Sequence, residues 1–157
     1  MIRMRDRRGG WMLLEVMIAL SLLTVGVLGF MFTFQTNFKA TQEIGSRDQG
    51  HEALESAVET LRCADFGTLY ANYQGANLPA PGLLGADGNP AVVTVGFDVN
   101  ETTLPAAYGP VTDIDGDGAM KTTNASAGYM ILPTCLSLTF KVGLISETKV
   151  LYLVLGP

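Results

Sequence analysis

One uninterrupted apolar stretch near the N-terminus constrains this chain more than any other feature. From Trp11 to Phe34 there are 24 consecutive residues with a single ionisable side chain, Glu15. A helix of that length rises about 36 Å, which exceeds the roughly 30 Å hydrocarbon core of a bilayer. A secretory signal peptide has an apolar region of only about 7–15 residues, so this stretch is too long to be one. The sequence therefore predicts a transmembrane helix over residues 11–34.

The charges that flank this stretch indicate its orientation. The residues before it are strongly basic, whereas the first basic residue after it is Lys39. The preceding basic residues are Arg3, Arg5, Arg7 and Arg8, against the single acidic Asp6. Basic flanks stay on the cytoplasmic side of a membrane. We therefore expect a single-pass anchor with a cytoplasmic N-terminus and the rest of the chain on the other side.

The residues around Glu15 form a specific motif. Behind the basic residues, Gly9-Gly10 is followed by an aromatic residue and then by Leu13-Leu14-Glu15-Val16-Met17-Ile18-Ala19-Leu20. This pattern resembles the prepilin leader of type IV pilins and type II secretion pseudopilins. With the continuation Leu22-Leu23-Thr24-Val25-Gly26-Val27-Leu28-Gly29, it is most like the PilV-type minor pilins. The resemblance covers about residues 7–34, and Trp11 stands where the family usually has phenylalanine.

The resemblance implies how the N-terminus is processed and used. A prepilin peptidase would remove residues 1–10 by cutting between Gly10 and Trp11 on the cytoplasmic face, and would methylate the new amine of Trp11. Glu15 would become the fifth residue of the mature chain and pair with the N-terminal amine of a neighbouring subunit. A carboxylate inside a helix bundle needs a cation, and a cut N-terminus at the same depth supplies one. The alternative is a plain anchor in which Glu15 sits at the membrane interface without a role.

After the apolar stretch the pattern becomes amphipathic. Apolar residues recur at three- and four-residue steps between charged ones over residues 35–62, with an interruption near Asp48–Gly50, and the first proline is Pro79. One helix is therefore predicted over residues 11–62, with residues 11–34 for the membrane and assembly and 35–62 as its amphipathic part.

Residues 63–157 have the pattern of a small β head. Turn residues dominate Ala64–Pro90, which predicts a connecting loop. Alternation predicts strands over Ala91–Val99, Cys135–Val142 and Lys149–Leu155, with a short fourth strand near Tyr129–Leu132 and a hairpin at Gly143–Thr148. The predicted fold class is α+β, a long helix packed on a small antiparallel sheet, which is also the plan that the pilin resemblance implies.

Cys63 and Cys135 are the only two cysteines. A head in an oxidising periplasm would permit a disulfide between them, closing a loop of 71 residues and contributing roughly 4 kcal/mol in the chain-entropy model. The sequence predicts this bridge, with two separate buried thiols as the alternative.

The segment Asp113-Ile114-Asp115-Gly116-Asp117-Gly118 matches the start of a calcium loop. Carboxylates at alternate positions converge on one hard cation, and glycine at the sixth position makes the sharp turn. The candidate ligands are Asp113, Asp115, Asp117 and, at the twelfth position, Asn124 in place of the usual glutamate. A solvated acidic turn with local backbone hydrogen bonds explains the same residues. No cofactor is required, and calcium at residues 113–124 is the one candidate.

Charge and composition narrow the function. Without residues 1–10 the chain has 6 basic against 14 acidic residues, which argues against binding of nucleic acid. The sequence has no nucleophile–base pair, no His/Cys ligand cluster and no phosphate-binding loop, so we expect no enzyme.

The resemblance implies a minor pilin of a type IV pilus. Its partners would be the prepilin peptidase and, through the N-terminal helix, other major and minor pilins. It would lie in the inner membrane with a periplasmic head and later in the pilus at the cell surface. A minor pseudopilin of a type II secretion system is the first alternative. A membrane-anchored periplasmic module that binds calcium or adheres and never polymerises is the second.

Overall fold

A computed structural model describes residues 8–109, 113–125 and 128–157. A long helix, α1, runs from Arg8 to Cys63. The predicted helix over residues 11–62 is therefore confirmed to within three residues at its start and one at its end. Residues 1–7 of the predicted leader lie outside the described residues. The chain divides into two compact units, the first ending at Gln42 and the second running from Glu43 to Pro157.

The first unit is α1 up to Gln42, and apart from Glu15 its stretch from Met12 to Phe34 presents apolar residues on all sides. Consecutive side chains from Met12 to Leu14 and from Val16 to Ile18 are each more than half exposed. Residues in sequence point in directions about 100° apart, so such runs cover the whole circumference of the helix. The helix containing this segment is long and apolar enough to cross a membrane.

The second unit is a head in which a four-stranded antiparallel sheet packs on the C-terminal part of α1. The strands are β1 (Asn77–Leu84), β2 (Pro90–Phe97), β3 (Leu132–Val142) and β4 (Ile145–Leu155), in the order β1-β2-β3-β4. A 3-10 turn (Phe66–Thr68) and a short helix, α2 (Leu69–Tyr73), connect α1 to the sheet. Two further 3-10 turns, Glu101–Thr103 and Ala106–Tyr108, follow β2. The α+β arrangement that the sequence predicts is confirmed.

The core of the head forms between α1 and one face of the sheet. From α1 it takes Leu54, Ala57 and Leu61, at three- and four-residue steps, together with the adjacent Ala53. From the two central strands it takes Val93, Val95, Leu136, Leu138 and Phe140, all fully buried. These are the residues that the alternation in β2 and β3 predicts to share a face.

Gly50 explains how α1 continues where its apolar stripe was predicted to be interrupted. Gly50 is buried, and a Cβ added to it would lie only 2.8 Å from Cζ of Phe140. The missing side chain lets the Phe140 ring lie directly against the helix backbone. Glycine therefore acts here as a packing residue and does not end the helix.

One strand prediction is wrong, and the predicted hairpin is present but shorter. The fourth strand is not near Tyr129–Leu132 but at Asn77–Leu84, inside the predicted connecting loop. Pro79 and Pro81 made the segment look like a loop, because proline inside a strand is found mainly at a sheet edge, and β1 is an edge of this sheet. The β3–β4 hairpin is also tighter than predicted: Gly143 and Leu144 alone connect the strands, and Gly143 has a positive φ of 61°.

Candidate assembly site and head surfaces

The predicted processing site lies at the start of α1. Gly10 and Trp11 both belong to the first turn that the structure describes. Glu15 follows one turn later, and its side chain is exposed on the helix surface. The structure thus places the three residues of the leader motif on one continuous helix, with Glu15 at the edge of the apolar segment.

Among the residues that the structure describes, Glu15 differs from the other polar side chains of this segment in having no partner. The hydroxyl groups of Ser21, Thr24 and Thr33 donate to backbone carbonyls four residues earlier, at 2.7, 2.6 and 3.0 Å. By contrast, Glu15 makes no hydrogen bond or ion pair with any side chain that the structure describes. The segment is therefore compatible with hydrocarbon at every described position except this carboxylate.

Two other features characterise the surface of the same segment. Gly26 and Gly29 have nothing within 4 Å of the place that a Cβ would occupy, so another helix can approach the backbone closely there. Phe30, Phe34 and Phe38 follow one another at four-residue steps: the first two rings are stacked with centroids 6.2 Å apart, and the last two are tilted with centroids 5.4 Å apart. Small residues and an aromatic strip thus lie within one helical segment.

The predicted disulfide between Cys63 and Cys135 is not formed in the structure, where both are free cysteines. The cause is the alternation of β3. Leu136 and Leu138 face α1, and Cys135 between Thr134 and Leu136 points to the other face of the sheet, opposite Tyr152 of β4. Cys63 is exposed at the end of α1, 3.9 Å from Oε1 of Glu59. The two thiols therefore belong to opposite sides of the sheet.

Cys135 is a shielded thiol. Burial raises its pKa, and the nearby charge of Asp98 raises it further. Asp98 also accepts a hydrogen bond from the Tyr108 hydroxyl at 2.6 Å, and the Tyr108 ring meets the Tyr152 ring edge-on at 5.2 Å. Burial and this bond raise the pKa of Tyr108. A thiol that stays protonated is a poor nucleophile. Cys135 and the two tyrosines instead pack together on the outer face of the sheet.

The acidic loop is held by its own backbone. The two carboxylate oxygens of Asp113 accept from the amides of Gly116 and Gly118, both at 2.7 Å. Asp117 accepts from the Ala119 amide at 2.6 Å. Gly116 has the positive φ of 76° that the motif requires of its sixth residue. These local bonds are those of the acidic-turn interpretation.

Glu101 is a candidate functional residue that could not be identified from the sequence. It is the one charged residue that is buried among those the structure describes, at 5% exposure. Its two oxygens accept from the amides of Ile114 at 2.7 Å and Thr122 at 2.9 Å, so it ties both ends of the acidic loop to the 3-10 turn after β2. The Ile114 bond is the main reason that its pKa lies below the ordinary value. The contact spans 13 residues, and no local pattern signals it.

The predicted calcium ligands are only partly brought together. Carboxylate oxygens of Glu101, Asp113 and Asp115 lie within 4.8 Å of one another, and Asp117 does not belong to this group. Asn124 is exposed. A bond from the Thr122 hydroxyl to Asp115 at 2.8 Å is the main cause of the lowered pKa of Asp115. Carboxylate oxygens are the ligands that a hard cation prefers. The oxygens of these three carboxylates, however, already accept hydrogen bonds from the protein itself.

The chain was also compared with known proteins. No family model, no curated protein and no solved structure matches it.

Proposed function

We propose that this chain is a minor pilin subunit of a type IV pilus, of the PilV-like kind, which the prepilin peptidase processes between Gly10 and Trp11. Within the fibre it would serve in assembly, priming or the tip. The proposal depends above all on Glu15, a carboxylate without a partner in the described part of an otherwise apolar helix segment. A charge at the centre of a membrane-spanning helix costs about 2.5–3.5 kcal/mol on insertion scales, so a carboxylate that is drawn into a helix bundle calls for a compensating cation.

The N-terminal amine of a neighbouring subunit is the cation that fits best. Cleavage would create an amine at Trp11, four residues from Glu15 and therefore about 6 Å along the helix axis. Two parallel subunits offset by about that distance would pair the amine of one with the carboxylate of the other. In such a bundle Gly26 and Gly29 would allow close packing, as their open surroundings suggest.

The head would then lie outside the cytoplasm and select partners. Before assembly the apolar segment of α1 anchors the subunit in the inner membrane, in line with its length and hydropathy. The subunit would leave the membrane when α1 joins the bundle. This role is structural and involves no catalysed reaction.

The test is a pair of variants in the apolar segment. Glu15→Ala should leave the subunit processed and in the membrane but strongly reduce its recovery with fibres sheared from the cell surface. Ser21→Ala is the matched control, because that hydroxyl is satisfied within its own helix. Equal recovery of both variants with the fibres would refute the assembly role of Glu15.

Two other functions fit parts of the same evidence. A minor pseudopilin of a type II secretion system would use α1 and Glu15 in the same way. Deleting the gene would then abolish export of secreted proteins and leave pili intact, which is the opposite of the result expected here.

A calcium-binding module that never polymerises is favoured only by the proximity of Glu101, Asp113 and Asp115. It predicts that millimolar calcium raises the melting temperature of the head, and that Glu15→Ala has no effect in cells. The backbone bonds to these carboxylates lead us to expect no shift with calcium.

A further inference from the structure

The tip of the β3–β4 hairpin, Gly143–Ile145, carries apolar side chains that the turn itself does not need. Gly143 has the positive φ that a two-residue turn with glycine in first place requires. Leu144 fills the second place, where polar residues such as asparagine and serine serve such a turn well. The Leu144 side chain is fully exposed, and that of Ile145 is 62% exposed. The turn therefore accounts for the glycine but not for the two apolar side chains that follow it.

The hairpin tip lies at the end of the head where the chain enters it. A Cβ added to Gly143 would lie 3.0 Å from Oε1 of Glu43, and Glu43 is the residue at which the head begins. Eight residues, 35–42, separate Glu43 from the apolar segment that ends at Phe34. A linker of that length spans at most about 30 Å even when fully extended. The covalent chain therefore tethers the tip close to any membrane that the apolar segment crosses, at every angle between the two units.

The β1–β2 turn belongs to the same end of the head. A Cβ added to Gly88 in that turn would lie 3.9 Å from Nζ of Lys141, which is close to the hairpin tip because it pairs with Ser146. Leu84, just before the β1–β2 turn, is 55% exposed. Exposed apolar side chains of both turns thus lie at the end of the head where the chain enters.

Charge is divided unevenly between the two ends of the head. The entry end has three of the five basic residues of the head, against four carboxylates: Arg47, Lys141 and Lys149 against Glu43, Asp48, Asp87 and Glu147. The opposite end has two basic residues against six carboxylates: Arg62 and Lys121 against Asp65, Asp98, Glu101, Asp113, Asp115 and Asp117. A surface of anionic phospholipids repels the strongly acidic end more than the other. Charge therefore favours a lipid surface at the end that carries the hairpin tip.

We propose that the hairpin tip inserts Leu144 and Ile145 into the lipid interface of the membrane that α1 crosses. Apolar side chains that enter the acyl boundary, with basic residues nearby for the lipid phosphates, are the chemistry by which proteins hold a lipid surface. Lys141 is the basic residue for this, because it is exposed and pairs with Ser146 next to the tip. The inference rests on the membrane anchoring in the proposed function, and it adds that the head itself is held at the lipid surface until α1 leaves the membrane.

The tether makes so small an apolar surface sufficient. Two side chains would hold a free protein on a membrane only weakly. Because α1 anchors the same chain, insertion of the tip is an intramolecular step, with an effective concentration in the millimolar range for a short linker. The same reasoning makes the contact reversible, so it does not prevent the subunit from leaving the membrane.

The experiment is photolabelling of the full-length chain in vesicles of phosphatidylethanolamine and phosphatidylglycerol. A small fraction of the phospholipid carries a diazirine on its acyl chain, and labelled peptides are mapped by mass spectrometry after illumination. The apolar segment of α1 is the internal positive control. The peptide around Ala107 is the negative control, because Ala107 is exposed in the 3-10 turn at the opposite end of the head. We expect residues 143–145 to be labelled at least about tenfold more than the Ala107 peptide.

A double substitution at the tip tests the side chains themselves. Leu144→Asn together with Ile145→Thr should leave the melting temperature of the head within about 2 °C, because asparagine suits the turn and threonine suits a strand. Label at the tip should fall about tenfold, while label on α1 stays the same. Val150→Thr is the matched control, since it removes an exposed apolar side chain elsewhere on β4 and should leave the tip label unchanged. The inference is overturned by an unlabelled tip, by equal label on the Ala107 peptide, or by a tip label that the double substitution does not reduce.

The same labels separate this inference from the proposed function. A labelled α1 segment with an unlabelled tip contradicts the insertion of the tip alone. An unlabelled α1 segment contradicts the membrane anchoring on which the proposed function depends. A labelled tip on a chain that keeps Met1–Gly10 in its own cells contradicts the pilin function alone.

Discussion

Replacing Gly50 by alanine tests the packing that joins α1 to the sheet. The added methyl would lie 2.8 Å from Cζ and 3.0 Å from Cε1 of Phe140, which is fully buried and cannot swing into solvent. Overpacking of this kind costs about 1–3 kcal/mol, and alanine returns about 1 kcal/mol of helix propensity. We expect a net loss of about 1 kcal/mol, or about 4 °C in the melting temperature of the head.

Gly45→Ala is the matched control for this substitution. Gly45 lies on the same helix and within the head unit, but nothing lies within 4 Å of its Cβ position. Only the propensity gain applies there, so this variant should be more stable by up to about 1 kcal/mol. The two alanine variants should therefore move in opposite directions.

The assay is thermal unfolding of the detergent-solubilised full chain, followed by near-UV circular dichroism of tyrosine. All five tyrosines belong to the head, so the signal reports on that unit. Phe140→Leu should remove the clash in the Gly50→Ala background, and the double-mutant cycle should show favourable coupling. If Gly50→Ala stabilises the head as much as Gly45→Ala does, the ring is not packed against the helix and the reasoning fails.

Three further predictions concern the head. Glu101→Gln should lower the melting temperature at pH 7. Because the pKa of Glu101 is lowered on folding, its stabilisation is present above about pH 4.5 and is lost as the pH falls further, so the difference between the two proteins should shrink towards pH 3. An equal difference at pH 7 and pH 3 would contradict this role. Tyr129→Phe removes a hydroxyl that donates to the Phe66 carbonyl at 2.7 Å and accepts from the Tyr70 amide at 3.3 Å, and it should cost about 1–3 kcal/mol in chemical unfolding. A loss below about 0.5 kcal/mol would show that these bonds do not stabilise the head. Reductant should change neither the melting temperature nor the intact mass, because Cys63 and Cys135 are free, and a gain of about two hydrogens would show a bridge instead.

Local periodicity was sufficient to predict α1 and the inner faces of β2 and β3. Those predictions need only the spacing of apolar residues along one element, as with Val93 and Val95 or Leu136 and Leu138. The motif around Glu15 could likewise be recognised in the sequence, because its residues are adjacent. The facing of Cys135 could also have been predicted, since it alternates with Leu136, and this alternation argues against a bridge to the helix side.

The features missed are those that depend on contacts across the fold. The strand β1 contains Pro79 and Pro81, which local rules assign to a loop, and only its place at the sheet edge makes a strand possible. Glu101 looks like any surface glutamate until the fold brings its oxygens to the amides of Ile114 and Thr122. The place of β1 and β4 as the two edge strands likewise follows from the strand order, which no single segment encodes.

The measurement that tests the central claim most directly is the intact mass of the protein purified from its own membranes. The proposed function predicts the loss of Met1–Gly10 and the gain of one methyl group, located by fragmentation on the amine of Trp11. A chain that keeps residues 1–10 in full would contradict prepilin processing and leave only a simple membrane anchor.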